Sequence, residues 1–75
     1  MDADARAAAL VASALDIQAP VTRDDDMASL AAWTSLSHVR LILELEAALG
    51  RQLGPDEIAG IDSVRAVAAL LRPAP

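Results

Sequence analysis

The chain contains no cysteine, lysine, tyrosine or phenylalanine, and a single tryptophan. Without cysteine it has no disulfide and no thiolate chemistry of its own, which suits a reducing cytoplasm. One aromatic residue, three glycines and four prolines stand against eighteen alanines. Sandwiches and barrels need β-branched and aromatic residues, so that composition argues for helices. The lack of lysine leaves six arginines against eleven acids, a net charge of −5 and a pI near 4.4. Nucleic acid requires a basic face to neutralise phosphates, and an anionic membrane surface makes the same demand. Both are disfavoured as partners. At 75 residues the chain holds one domain, residues 1–75, which excludes a two-domain enzyme with an interdomain cleft.

What is present is a globular composition, 55% hydrophobic and 23% charged. The core must be built from Leu, Val, Ile and Ala, with Trp33 as its one large ring. The apolar run Ala7 to Leu15 is not read as a signal peptide, because the residues before it are net acidic. It is also too short to span a bilayer. A cytoplasmic protein and a monomer are expected.

Helical periodicity places a first helix from about Asp4 to Ile17, capped by Asp2 or Asp4 and stopped at Ala19-Pro20. A long connection follows, roughly Pro20 to Thr34, holding the acidic run Asp24-Asp25-Asp26. The second helix spans Ser35 to Leu49, free of Gly and Pro, with Thr34 as its N-terminal cap and Gly50 as its left-handed C-terminal cap. Gly54-Pro55-Asp56-Glu57 opens a short third helix. Asp62 or Ser63 caps a fourth, which carries Val64, Val67, Leu70 and Leu71 and ends at Pro73. The expected fold is all-α, an antiparallel four-helix bundle with a long first loop and a short third helix.

The second helix carries two apolar stripes. Leu41, Ile42, Leu45 and Leu49 form one, and Leu36, Val39 and Leu43 form another, rotated away from the first. One stripe suffices to hold a bundle together. The other is either an exposed docking face or buried against neighbouring helices, and periodicity alone favours burial of both.

The stretch from Trp33 to Glu46 resembles the segment around the attachment serine of acyl carrier proteins. Ser35-Leu36, Val39, Leu41 and Leu45-Glu46 stand at that family's spacings. Gly50, Leu53, Pro55-Asp56-Glu57, Ile61, Ser63-Val64 and Ala68 follow its later loop and helices. The similarity runs from about Val21 to Leu71, and Asp4 to Ile17 fits the first helix. It implies a covalent 4'-phosphopantetheine on Ser35, whose terminal thiol carries acyl or aminoacyl groups as thioesters. It implies as partners a phosphopantetheinyl transferase and acyl-loading and acyl-processing enzymes. They would dock on Leu36, Val39 and Leu43, with Arg40, Glu44 and Glu46 supplying charge. The physics agrees, since an anion is favoured at a helix N-terminus with free N–H groups.

The family usually has aspartate before the serine, and here it is Thr34. That change keeps a helix cap but removes a carboxylate from the transferase's view. Arg40 and Ala47 also stand where general fatty-acid carriers tend to have acids, which hints at a dedicated pathway. Asp62-Ser63-Val64 mimics the attachment motif, yet it lacks the following Leu-Glu pattern and reads as a cap. His38 is one turn from Ser35, but no orienting acid or Gly-rich oxyanion loop accompanies it, so a Ser-His hydrolase is not expected. The aspartate run lacks the ligand spacing of a calcium loop and reads as solvated. Trp33 reads as a buried loop anchor. The reading is therefore a non-enzymatic carrier, with no metal site. Its alternative is a helical interaction module of the same fold without the prosthetic group.

Overall fold

The computed structural model describes residues 2–72, and among them every regular element is a helix. Helix α1 spans Ala3–Leu15, α2 Ser35–Leu49, α3 Pro55–Ala59 and α4 Val64–Leu71. The four-helix bundle with a long first loop and a short third helix is thus as expected. None of these helices is long and apolar enough to cross a membrane. Pro73, read as the stop of the last helix, lies outside the described residues.

Each helix start follows from a local polar residue. Asp2 accepts the Ala5 N–H at 2.8 Å and caps α1. Ser63 accepts the Ala66 N–H at 3.1 Å and caps α4. Gly54 has no side chain to offer at the start of α3, so Glu57 reaches back and accepts the Gly54 N–H at 2.9 Å. The same carboxylate takes a two-pronged contact from Arg51, at 3.0 and 2.8 Å. The Arg51 bond, then the Gly54 N–H, hold the Glu57 pKa down at about 2.

One boundary differs from expectation. Helix α1 ends at Leu15 and not at Ala19-Pro20, because Asp16 turns left-handed at φ 54° and its N–H bonds back to Ala12 and Ser13. Aspartate tolerates this region better than most residues, so it can terminate a helix without glycine. At the end of α2, Gly50 takes the expected left-handed turn at φ 71°.

Helix α1 packs against both α2 and α4. Arg72, past the end of α4, reaches Asp4 in the first turn of α1 at 3.3 Å, so α1 and α4 run antiparallel. The core joins Val11, Leu15, Leu41, Leu45, Val64, Val67 and Leu71, and Trp33 closes it from the loop. Helix α3 buries none of its own residues fully and is held by its flanks, Leu53 and Ile61. Fully burying Leu41 or Leu45 contributes about 2 kcal/mol each.

The long loop is fastened rather than free. Met27 N–H donates to Asp62 and Val64 N–H donates to Asp25, which makes an antiparallel bridge between Asp26 and Ser63. The aspartate run does more than face solvent. Asp25 accepts the Thr22 N–H and the Ser29 hydroxyl, and Asp26 accepts the Ser29 N–H. Asp24 meets Arg65 at 2.8 Å. Short acidic side chains fold back on nearby backbone donors, so these residues build the turn. The solvated-loop reading holds for Asp24 alone.

Candidate functional site

The site is the N-terminal end of α2. Thr34 is extended, at φ −108°, and its hydroxyl accepts the Ser37 N–H at 3.3 Å. Ser37 completes the exchange. Its Oγ accepts the Thr34 N–H at 2.7 Å and donates to the Ala32 carbonyl at 2.8 Å. Ser37 is buried, so this reciprocal cap locks the turn from inside. Sequence reasoning named Thr34 but missed Ser37. A polar residue three positions after a threonine cap was the available signal.

With Thr34 as cap, Ser35 falls one residue into the helix. It is exposed, and its hydroxyl makes no hydrogen bond among the described residues. The first N–H groups of a helix have no partner within it. Thr34 satisfies those of Ser37 and His38, through its hydroxyl and its carbonyl. Those of Ser35 and Leu36 remain unpaired among the described residues, beside an exposed hydroxyl. A phosphodiester on that oxygen would meet open N–H donors and the positive end of the helix dipole. The residues present fit such a group.

Ser63 is differently placed. Its hydroxyl is spent on Ala66, and its backbone lies in the bridge to the loop. An open groove lined by Asp26, Met27, Ala28, Asp62 and Ser63 lies at that junction, and Ser35 is not among its lining residues.

Trp33 is buried, as expected of a loop anchor, and its indole Nε1 donates to His38 Nδ1 at 3.0 Å. That bond orients the half-buried imidazole toward the loop. Its acceptor nitrogen is engaged by Trp33, and no hydrogen bond joins His38 to Ser35. The Ser-His hydrolytic pair is therefore not assembled.

The two stripes of α2 separate. Leu41 and Leu45 are fully buried, with Ile42 and Leu49 packed against them. Leu36, Val39 and Leu43 are 64%, 53% and 61% exposed. Periodicity alone favoured burial of both stripes, and this is corrected. Only α1 packs closely along α2, and the stripe on its other side stays open to solvent. Arg40 is exposed beside that stripe. Glu44 and Glu46 are half-buried and bonded within the chain. Glu44 accepts from the Ser13 hydroxyl and Glu46 from the Leu53 N–H, both at 2.8 Å.

A small helical bundle that offers an exposed serine hydroxyl at the open start of its second helix has the form of a carrier domain. The family model described as the phosphopantetheine attachment site matches residues 5–71, and the chain belongs to that family. No curated protein and no solved structure gives a significant match. The domain is a non-catalytic carrier with covalently attached 4'-phosphopantetheine, a group that supplies a terminal thiol. Domains of this kind work with transferases and acyl-processing enzymes.

Proposed function

We propose that Ser35 is the attachment residue, and that the protein presents acyl or aminoacyl thioesters to partner enzymes of a dedicated biosynthetic pathway in the cytoplasm. The observation that carries this reading is the free Ser35 hydroxyl at the exposed start of α2. Thr34 and Ser37 do the capping, so Ser35 can be modified without unmaking the helix start. The exposed stripe of Leu36, Val39 and Leu43 supports a docking role for the solvent side of α2, next to the attachment point. Arg40, Glu44 and Glu46 are the charged residues of that helix. Arg40 and Ala47, in place of acids, support a dedicated rather than a general partner set.

The test is intact mass after incubation with coenzyme A and a broad-specificity phosphopantetheinyl transferase. One phosphopantetheine is expected on the wild type and on Ser63→Ala, and none on Ser35→Ala. Modification that survives Ser35→Ala would overturn the assignment. An unmodified wild type would favour an interaction module without the prosthetic group.

A further inference from the structure

The two carboxylates of α2 do not point where its apolar stripe points. At about 100° per residue, Leu36, Leu43 and Ala47 share the middle of the solvent-facing side. Val39 lies to one side of them and Arg40 to the other. Glu44 lies on Arg40's side, one turn on and nearest α1, where the Ser13 hydroxyl holds it. Glu46 lies beyond Val39 on the opposite edge, where the Leu53 N–H holds it. Neither carboxylate is neutralised by these bonds. Each is drawn off the exposed face by a donor elsewhere in the chain, and a partner could use it only by competing with that donor. Arg23, Arg51, Arg65 and Arg72 pair with carboxylates. Arg40 is exposed and forms no ion pair among the described residues. The exposed face of α2 is thus apolar with a cationic edge, although the chain carries a net charge of −5.

We propose that this face docks a partner enzyme whose apolar groove is edged by carboxylate, with Arg40 as the charge that is read. A basic edge would put like charge against Arg40 as water leaves the contact, which costs far more than it does in open solvent. An acidic edge supplies the missing ion pair at the same place. The inference rests on the docking role proposed above for α2, and it does not require Ser35 to be modified.

The probes are two synthetic amphipathic helical peptides with one common Leu/Ile face, edged by Glu in one and by Lys in the other. Each is titrated into the full chain, with backbone amide shifts marking where it binds. Arg40→Gln, Glu44→Gln and Glu46→Gln each change the net charge by one, so a purely long-range field predicts shifts of equal size. The quantity read is the ratio of affinities for the Glu-edged and Lys-edged peptides. Arg40→Gln is expected to lower that ratio about fivefold, with shifts confined to residues 36–47. Glu44→Gln and Glu46→Gln are expected to move it less than about twofold. The proposal is overturned if either glutamate variant moves the ratio as far as Arg40→Gln, or if neither peptide binds this face. It is equally overturned if the chain alone dimerises through residues 36–47, which would make a second copy the occupant. Intact mass of the same variants after incubation with coenzyme A and the transferase reports Ser35 separately, so a failed attachment reading registers as an unmodified chain and not as a changed ratio.

Discussion

Two helix starts in this molecule carry a serine, and they use it in opposite ways. At α4 the serine is the cap, and its hydroxyl is consumed by the Ala66 N–H. At α2 the cap is Thr34, backed by Ser37, and Ser35 stands one residue further in with nothing to hold. A shift of one position therefore separates a hydroxyl spent on a cap from one left free among the described residues. The surroundings follow the same division. Ser63 is bridged to Asp26 of the loop, whereas Ser35 opens onto solvent beside two N–H groups unpaired among the described residues. A serine at a helix start becomes available for chemistry when its neighbours take over the cap.

The largest effect expected from this contrast is a double dissociation. Ser35→Ala should abolish modification and leave the unfolding midpoint in place, because no bond is lost. Ser63→Ala should keep modification and lose about 1 kcal/mol of stability, as cap removal does. Intact mass and chemical denaturation on the two variants read both arms. If Ser35→Ala destabilised as much as Ser63→Ala, the hydroxyl at α2 would be a cap after all, and the comparison would break.

Next in size is Ser37→Ala. It removes the hydroxyl bonded to the Thr34 N–H and to the Ala32 carbonyl, two groups that keep a bond to each other at 3.0 Å. The expected cost is about 1 kcal/mol, that of a lost hydrogen bond whose former partners still pair with each other, read by denaturant unfolding. Modification of the folded variant should continue, since Ser35 is untouched. A negligible loss would mean that Thr34 caps α2 unaided.

How much of this was legible in the sequence depended on the range of each interaction. The limits of α2 were readable from Thr34, Gly50 and the lack of Gly or Pro between them, because caps act over a few residues. The carrier reading was likewise readable from the spacing of Ser35, Leu36, Val39 and Leu45. The end of α1 was not, since Asp16 turns left-handed by a choice that proline rules do not encode. The destinations of Glu44 and Glu46 were hidden for another reason. Ser13 lies in another helix and Leu53 in the loop after α2, and periodicity along α2 names neither. The same holds for its two stripes, because a helical pattern shows which residues share a face but not which face a neighbour covers.

The start of α3 offers a third arrangement that sharpens the contrast, with a glycine at the cap and Glu57 reaching back. Glu57 has its pKa held at about 2, below the usual 4.5. A lowered carboxylate pKa favours the folded state above the unfolded value, and that benefit is lost as pH falls through the folded one. The stability difference between wild type and Glu57→Gln should therefore be constant above about pH 4.5 and fade toward about pH 2. Denaturation across that range reads it. Glutamine can still accept the Gly54 N–H, so the variant chiefly removes the carboxylate charge that Arg51 meets. A difference that grows as the solution is acidified would contradict the assigned cause.

The smallest structural effect is expected from Thr34→Asp, which tests what the threonine at this cap is for. Aspartate caps at least as well as threonine, and its charge sits favourably at the positive end of α2. Stability should therefore move by no more than about 0.5 kcal/mol. The Ser37 hydroxyl keeps both of its own partners, so Ser35 remains one residue inside the helix. What changes is the charge next to Ser35, where a carboxylate now faces whatever approaches. If the transferase reads that carboxylate through a basic group or a metal ion, the initial rate of modification should rise. Repeating the assay at higher salt separates the causes, because exposed charges are screened over about 10 Å at 0.1 M. A rate gain that shrinks with salt marks an electrostatic contact with the enzyme. Equal rates for the two forms would show that the transferase requires only a capped helix and a free hydroxyl, and that threonine serves α2 as well as the acid does.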